Sequence, residues 1–256
     1  IVIKEDKQMG RWNIRWSILL VLWCVTGVKL AAMKVESLDR GWFFNRGYES
    51  QAADKVTVDL PHTWNAADAM FGNVIYYRGM STYSRFIVVP SSENFKRVFL
   101  RVKAAQTVAD VYLDNHFVAQ HKGGYTSFTV ELTHLIRRGE KQKLDIRVSN
   151  AQTMEIAPIC GDFNIWGGLN RGVELLYTDD ACIDPTFYGS SGVFFTQCDV
   201  SEKYAGLEMK ALLSGTEMAL NDCSIEFSLL DAKRKVVLCK ETSVSGKEAL
   251  VKMELN

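Results

Sequence analysis

Proline, histidine and net charge are what this sequence has least of. Its 256 residues include four prolines and four histidines, and 30 basic side chains are balanced by 30 acidic ones. A net charge of zero removes the electrostatic basis for nucleic acid or an anionic membrane surface as a main partner. No run of like charge and no low-complexity tract occurs, so the chain is not built around a disordered linker. His62, His116, His121 and His134 show no metal-ligand spacing, and His62 reads as satisfying a backbone group. The six cysteines (Cys24, Cys160, Cys182, Cys198, Cys223 and Cys239) contain no CxxC pair, and removal of a leader would leave five. Neither a disulfide scaffold nor a zinc site is expected; the cysteines read mostly as free thiols packed in β cores.

Long hydrophobic runs are also scarce, with one exception. Met9 reads as a start, with Ile1–Gln8 upstream of it; Arg11 and Arg15 then precede the apolar run Trp16–Val28. Thirteen residues fall short of the ~20 a spanning helix needs but suit a signal-peptide core, and the small residues Ala31 and Ala32 follow. The expectation is a secreted or periplasmic protein that meets a membrane only through this segment; an uncleaved anchor or a buried helix are the alternatives. Residues 1–33 are thus set apart from the fold.

What remains is globular, with 47% hydrophobic and 23% charged residues. Its periodicity is two. Arg97–Lys103 places Val98, Leu100 and Val102 on one face, and Ala109–Leu113 repeats the pattern. Asp114-Asn115 then supplies residues that tolerate φ > 0, and Phe117–His121 returns as a hairpin. Further strands are expected at Val56–Leu60, Thr82–Val89, Phe128–Glu131, Leu144–Ser149 and Val173–Tyr177. Leu132–Arg138 has room for one helical turn. A boundary falls near Asp184-Pro185, beyond which Val193–Cys198, Leu207–Leu213, Ser224–Leu230, Val236–Thr242 and Leu250–Leu255 continue the rhythm. The fold class is all-β: a sandwich over residues 34–183, then part of an immunoglobulin-like sandwich over 184–256. Aromatics at 11% fit a β-rich carbohydrate binder, and equally any large sandwich.

Six segments in order carry a family resemblance: Val58–Trp64, Tyr76–Gly79, Arg97–Val102, Ala109–Asn115, His121–Phe128 and Asp162–Arg171. Together they resemble the N-terminal portion of glycoside hydrolase family 2, the β-galactosidases, β-glucuronidases and β-mannosidases. The Gly-Gly-Leu-Asn-Arg run and Tyr188–Val193 look most like β-galactosidase homologues of gut Bacteroidetes. The family has an aromatic residue before the arginine of the Gly-Gly motif and an acidic one after it; here those places hold Asn170 and Gly172.

The resemblance implies a jelly-roll sugar-binding domain in which Asp162 accepts hydrogen bonds from sugar hydroxyls, a task suited to a charged acceptor. It also matches Asn73 to an asparagine that contacts galactose, although Gly-Asn is ordinary turn chemistry too. Trp166 has two readings, a platform for a sugar ring or a core tryptophan between sheets. Arg171 reads as pairing with a carboxylate to fix its loop, Gly123-Gly124 as turn residues, and His62 and Trp64 as structural. The family's two catalytic glutamates stand on a (β/α)₈ barrel of roughly 250 residues that follows these domains. No Asn-Glu pair, the usual context of the acid/base, occurs here. The expectation is therefore a non-catalytic front portion whose partners are a carbohydrate, a β-galactoside first, and the missing barrel. No cofactor is expected in this chain, with Mg²⁺ or Na⁺ belonging to a full-length enzyme. A stand-alone carbohydrate-binding module and a structural two-sandwich protein are the competing readings.

Overall fold

A computed structural model describes residues 2–5, 33–47, 56–68, 76–92, 94–157, 164–201, 203–221 and 223–255. These residues are almost entirely strand and divide into two compact units. One comprises residues 33–178 and 185–190; the other takes residues 179–184 and 191–256 together with the N-terminal stretch. The apolar run Trp16–Val28 lies outside the described residues. Among the described residues no helix is long and apolar enough to cross a membrane.

The first unit is a jelly-roll sandwich of two antiparallel sheets. The six-stranded sheet runs in the order Val56–Val58, Trp42–Arg46, Met80–Val88, Lys141–Ser149, Val108–Leu113, His116–Lys122. The four-stranded sheet runs Phe128–Glu131, Arg97–Val102, Val173–Thr178, Lys34–Ser37. Alternation drives each strand to bury one face: Ala109, Val111 and Leu113 point inward, as do Leu144, Ile146 and Val148 on the neighbouring strand. Trp42 and Tyr83 are completely enclosed between the layers. Arg97–Val102 departs from simple alternation. Phe99 is buried as well, opposite Leu176 in the ladder, so this pair is covered on the face turned away from Val98 and Leu100.

Turn chemistry falls where the sequence puts it. Asp114 and Asn115 have φ of 47° and 66°, closing the hairpin between Val108–Leu113 and His116–Lys122. Leu132–Ile136 makes a single turn, with Leu135 and Ile136 donating to the Leu132 carbonyl.

The second unit is an immunoglobulin-like sandwich. Ala205–Ser214 is its central strand, flanked by Val193–Cys198 and Glu248–Leu255, with Cys182–Ile183 pairing at one end. The opposing sheet holds Val2–Glu5, Cys223–Leu230 and Val236–Ser243. Residues 2–5, read from the sequence as upstream of the fold, therefore lie along Cys223–Glu226 as an edge strand. Leu207, Met209, Ala211, Ile225, Phe227 and Val251 form its core. A five-residue helix, Glu217–Asn221, has no counterpart in the sequence reading; Thr216 caps it by accepting the Ala219 N–H, and its hydroxyl donates to Asp180. Cys182 and Cys223 are buried, whereas Cys198 and Cys239 are exposed.

Candidate functional site

Two buried asparagines organise the loops at one end of the jelly roll. Asn65 follows the two-residue strand His62–Thr63, Asn150 follows Lys141–Ser149, and neither is exposed to solvent. Each donates from Nδ2 to the Ile165 carbonyl at 3.0 Å. Each also donates to the Tyr77 carbonyl, at 3.4 Å from Asn65 and 3.3 Å from Asn150. Their Oδ1 atoms accept in turn, Asn65 from the Gly167 N–H at 3.0 Å and Asn150 from the Gly79 N–H at 2.8 Å. A side-chain amide carries donors and an acceptor on one planar group, so it can tie together chain segments that no ladder reaches. Residues 76–79 and 164–168 are held to each other in this way.

Asp68 reinforces the arrangement. Its Oδ2 accepts the Tyr77 N–H at 3.2 Å, and Arg46 lies 3.7 Å from its Oδ1 while donating to the Trp64 carbonyl at 2.7 Å. The glycines of the Gly-Gly motif meet a second requirement, closeness. A Cβ on Gly167 would stand 2.1 Å from the Trp64 ring. Gly168 has φ of +145°, and a Cβ there would stand 2.2 Å from the His62 carbonyl oxygen. Trp64 and His62 are packed into the sandwich; among the described residues the His62 ring has a side chain as its hydrogen-bond partner and not the expected backbone group. Its Nδ1 lies 2.8 Å from the Tyr83 hydroxyl, and burial followed by the nearby Arg46 charge lowers its pKa.

Of the three expected sugar-contacting residues, the structure places one. Trp166 is 36% exposed and meets Tyr76 edge-on, with ring centroids 6.4 Å apart. It is a surface ring on the loop that the asparagines hold and not a core residue. Asn73 and Asp162 lie outside the described residues. Their flanks are described: Asp68 and Tyr76 bracket 69–75, and residues 157 and 164 bracket 158–163. Both segments therefore begin or end within a few residues of the paired asparagine contacts.

The carboxylate partner expected for Arg171 is not found among the described residues, and the arginine is exposed. Asp39 fixes this loop instead: its Oδ1 accepts the Val173 N–H at 2.8 Å and lies 2.6 Å from where a Cβ on Gly172 would be. Any side chain at position 172 would have to displace the Asp39 carboxylate. Beside it opens a cleft of about 590 Å³ lined by Ser37, Asp39, Arg40, Asp59, Leu60 and Arg85, none of them an expected sugar contact. Among the described residues no group of three or more His, Cys, Asp or Glu side chains could hold a metal ion.

A family model described as the sugar-binding domain of glycosyl hydrolases family 2 matches residues 35–179. The chain belongs to glycosyl hydrolase family 2. Among its relatives in this family is a β-glucuronidase of Bacteroides fragilis, 38% identical over 205 residues, an alignment covering 80% of this chain and 29% of that protein. A β-galactosidase of Thermoanaerobacter pseudethanolicus is 27% identical over 165 residues, covering 63% of this chain and 21% of that one. The crystal structure of a Bacteroides uniformis β-glucuronidase superposes with a TM-score of 0.76 at 26% identity, over 88% of this chain and 28% of that one. The family 2 chain thus spans under a third of the length of these relatives.

The residues that sequence reasoning missed in this family 2 domain are the asparagine pair, Asp68 and Asp39. Asn65 directly follows a recognisable Leu-Pro-His-Thr-Trp run, and Asn150 ends a predicted strand, where it reads only as turn chemistry.

Proposed function

We propose that this chain supplies the sugar-binding portion of a family 2 glycosidase. In this reading the 69–75 and 158–163 segments carry Asn73 and Asp162 to the glycone, and the exposed face of Trp166 stacks on it. Asp162 accepts from sugar hydroxyls as a charged acceptor, and Asn73 offers a donor and an acceptor to a hydroxyl pair. Bond cleavage belongs to a carboxyl pair about 5–5.5 Å apart, the arrangement of retaining glycosidases, on a barrel outside this chain. The observation that carries the reading is the double anchoring of Ile165 and Tyr77 by Asn65 and Asn150, which fastens the flanks of both segments at one place beside Trp166.

The glycone is a β-linked hexose. The 38% identical relative bears the name β-glucuronidase, which favours a glucuronide over the galactoside expected from Asn73. Export through the Trp16–Val28 segment completes the proposal; cleavage after it would remove the Val2–Glu5 edge strand, and sequencing of the mature N-terminus checks it.

The test is a graft. Residues 34–183 replace the corresponding part of the Bacteroides fragilis β-glucuronidase, and kcat and KM are measured on nitrophenyl β-glucuronide and β-galactoside. Asp162→Ala in the graft should raise KM or lower kcat/KM by about ten-fold or more, equivalent to one lost hydrogen bond of about 1.4 kcal/mol. A folded graft whose kinetics ignore Asp162→Ala overturns the reading. This chain alone should hydrolyse neither substrate.

A further inference from the structure

Asn170, the departure from the family pattern beside Arg171, begins a chain of hydrogen bonds that leads away from the Asn65–Asn150 pair. The Thr63 hydroxyl donates to Asn170 Oδ1 at 3.1 Å, Asn170 Nδ2 donates to Gln106 Oε1 at 2.8 Å, and Gln106 Nε2 donates to the Tyr125 hydroxyl at 3.2 Å. Every donor in the series points the same way, so the groups polarise one another. The last member is on the surface: Tyr125 is 68% exposed, while Gln106 is buried. Among the described residues the Tyr125 O–H has no acceptor of its own. The phenol oxygen is occupied, and its proton is directed to whatever approaches from solvent.

The turn beneath Tyr125 is fitted to this arrangement. Gly124 is buried against Gln106, where a Cβ would stand 2.8 Å from the side chain, and Gly123 N–H donates to the Thr107 carbonyl at 2.8 Å. The segment after this turn is tied to the 187–189 loop. Ser127 donates to the Gly189 carbonyl at 3.0 Å, which brings Phe187 and the 88% exposed Tyr188 to this side of the unit. A lone surface aromatic needs no explanation. An exposed ring whose hydroxyl is held by a polar series running through the buried Gln106 is a platform with less left to order on binding.

We propose that Tyr125 is a second carbohydrate-binding point, separate from the Asp162 segment, for a neutral hexopyranoside. The C–H face of the sugar lies on the ring, and the phenol proton goes to a sugar oxygen. Apolar area on an aromatic face combined with one directed donor is the chemistry that fits a ring bearing hydroxyls. Asn170 and Gln106 are positioning residues that act through Tyr125.

The experiment is saturation-transfer NMR on the full chain with lactose as probe. The wild-type chain, Y125A, Y125F, N170A and D162N are compared after circular dichroism has confirmed their folding. Lactose transfer should fall in Y125A, fall less in Y125F and N170A, and in D162N lose only the share carried by the Asp162 segment, so that a D162N/Y125A double variant loses both. Loss in D162N with no change in Y125A would assign all binding to the Asp162 segment and overturn this proposal while leaving the main reading intact. Absence of lactose transfer to the wild-type chain at millimolar concentration also overturns it. If Y125A then alters sedimentation, the ring is a protein-docking point instead.

Discussion

Asn65 and Asn150 share the same two acceptors, the carbonyls of Ile165 and Tyr77, although they follow different strands of the jelly roll. Each also accepts one backbone N–H, from Gly167 and Gly79. Asn150→Ala would leave the half-buried Gly79 N–H without that partner and remove one of the two donors from each carbonyl. The expected loss is about 2–4 kcal/mol in urea unfolding, because buried polar groups left unpaired carry their full desolvation penalty. A loss below about 0.5 kcal/mol, the range of an inconsequential surface change, would contradict the assigned role.

Gly168 permits no side chain. Its φ of +145° is open to glycine almost alone, and the nearest atom to an added Cβ is the His62 backbone oxygen, which has no rotamer to move to. Gly168→Ala is expected to lower the thermal midpoint by several degrees, on the order of 1–3 kcal/mol of strain. An unchanged midpoint would mean that the Gly168–Leu169 pairing with His62–Thr63 does not constrain the loop.

Arg97 grips Glu131 with two parallel bonds, Nε to Oε1 at 2.9 Å and Nη2 to Oε2 at 2.8 Å, and the Thr133 hydroxyl adds a third at 2.7 Å. The Arg97 bonds, outweighing burial and helped by Thr133, hold the Glu131 carboxyl below its ordinary pKa. Because the folded value is the lower one, this contribution is full above the unfolded carboxylate pKa of about 4.3 and disappears as pH falls through the folded value. Glu131→Gln should therefore be less stable than wild type at neutral pH, and the gap should narrow in acid. Chemical unfolding across that range measures it; a gap that is constant with pH would contradict the assignment.

The sandwich was legible because its strands alternate. Val108–Leu113 alternates as its period of two predicts, Phe128–Glu131 and Val193–Cys198 stand where they were expected although their burial does not alternate, and Asp114-Asn115 turns as its chemistry requires. Trp42–Arg46 was missed because three apolar residues in succession show no period; Trp42 and Phe44 point inward while Phe43 is 43% exposed. The two-residue strands His62–Thr63 and Gly168–Leu169 are too short to have any period. At the site, the Gly-Gly motif and Trp166 could be read, but Asn65 and Asn150 could not. Their role depends on which carbonyls the fold brings to them, and an asparagine after a strand looks the same whether it turns the chain or fastens a distant loop. The carboxylate expected for Arg171 was not found among the described residues, while the contact of Asp39 with the Val173 N–H, far away in sequence, could not be read.

The most direct test of the central claim is a titration of the isotopically labelled chain with methyl β-D-glucuronide and methyl β-D-galactoside, followed by amide and indole NMR shifts. The account predicts saturable shifts at the Trp166 indole N–H and at amides within 69–75 and 158–163, with those shifts lost in Asp162→Ala. Saturating glycoside that leaves Trp166 and both segments unmoved in a folded chain would contradict it.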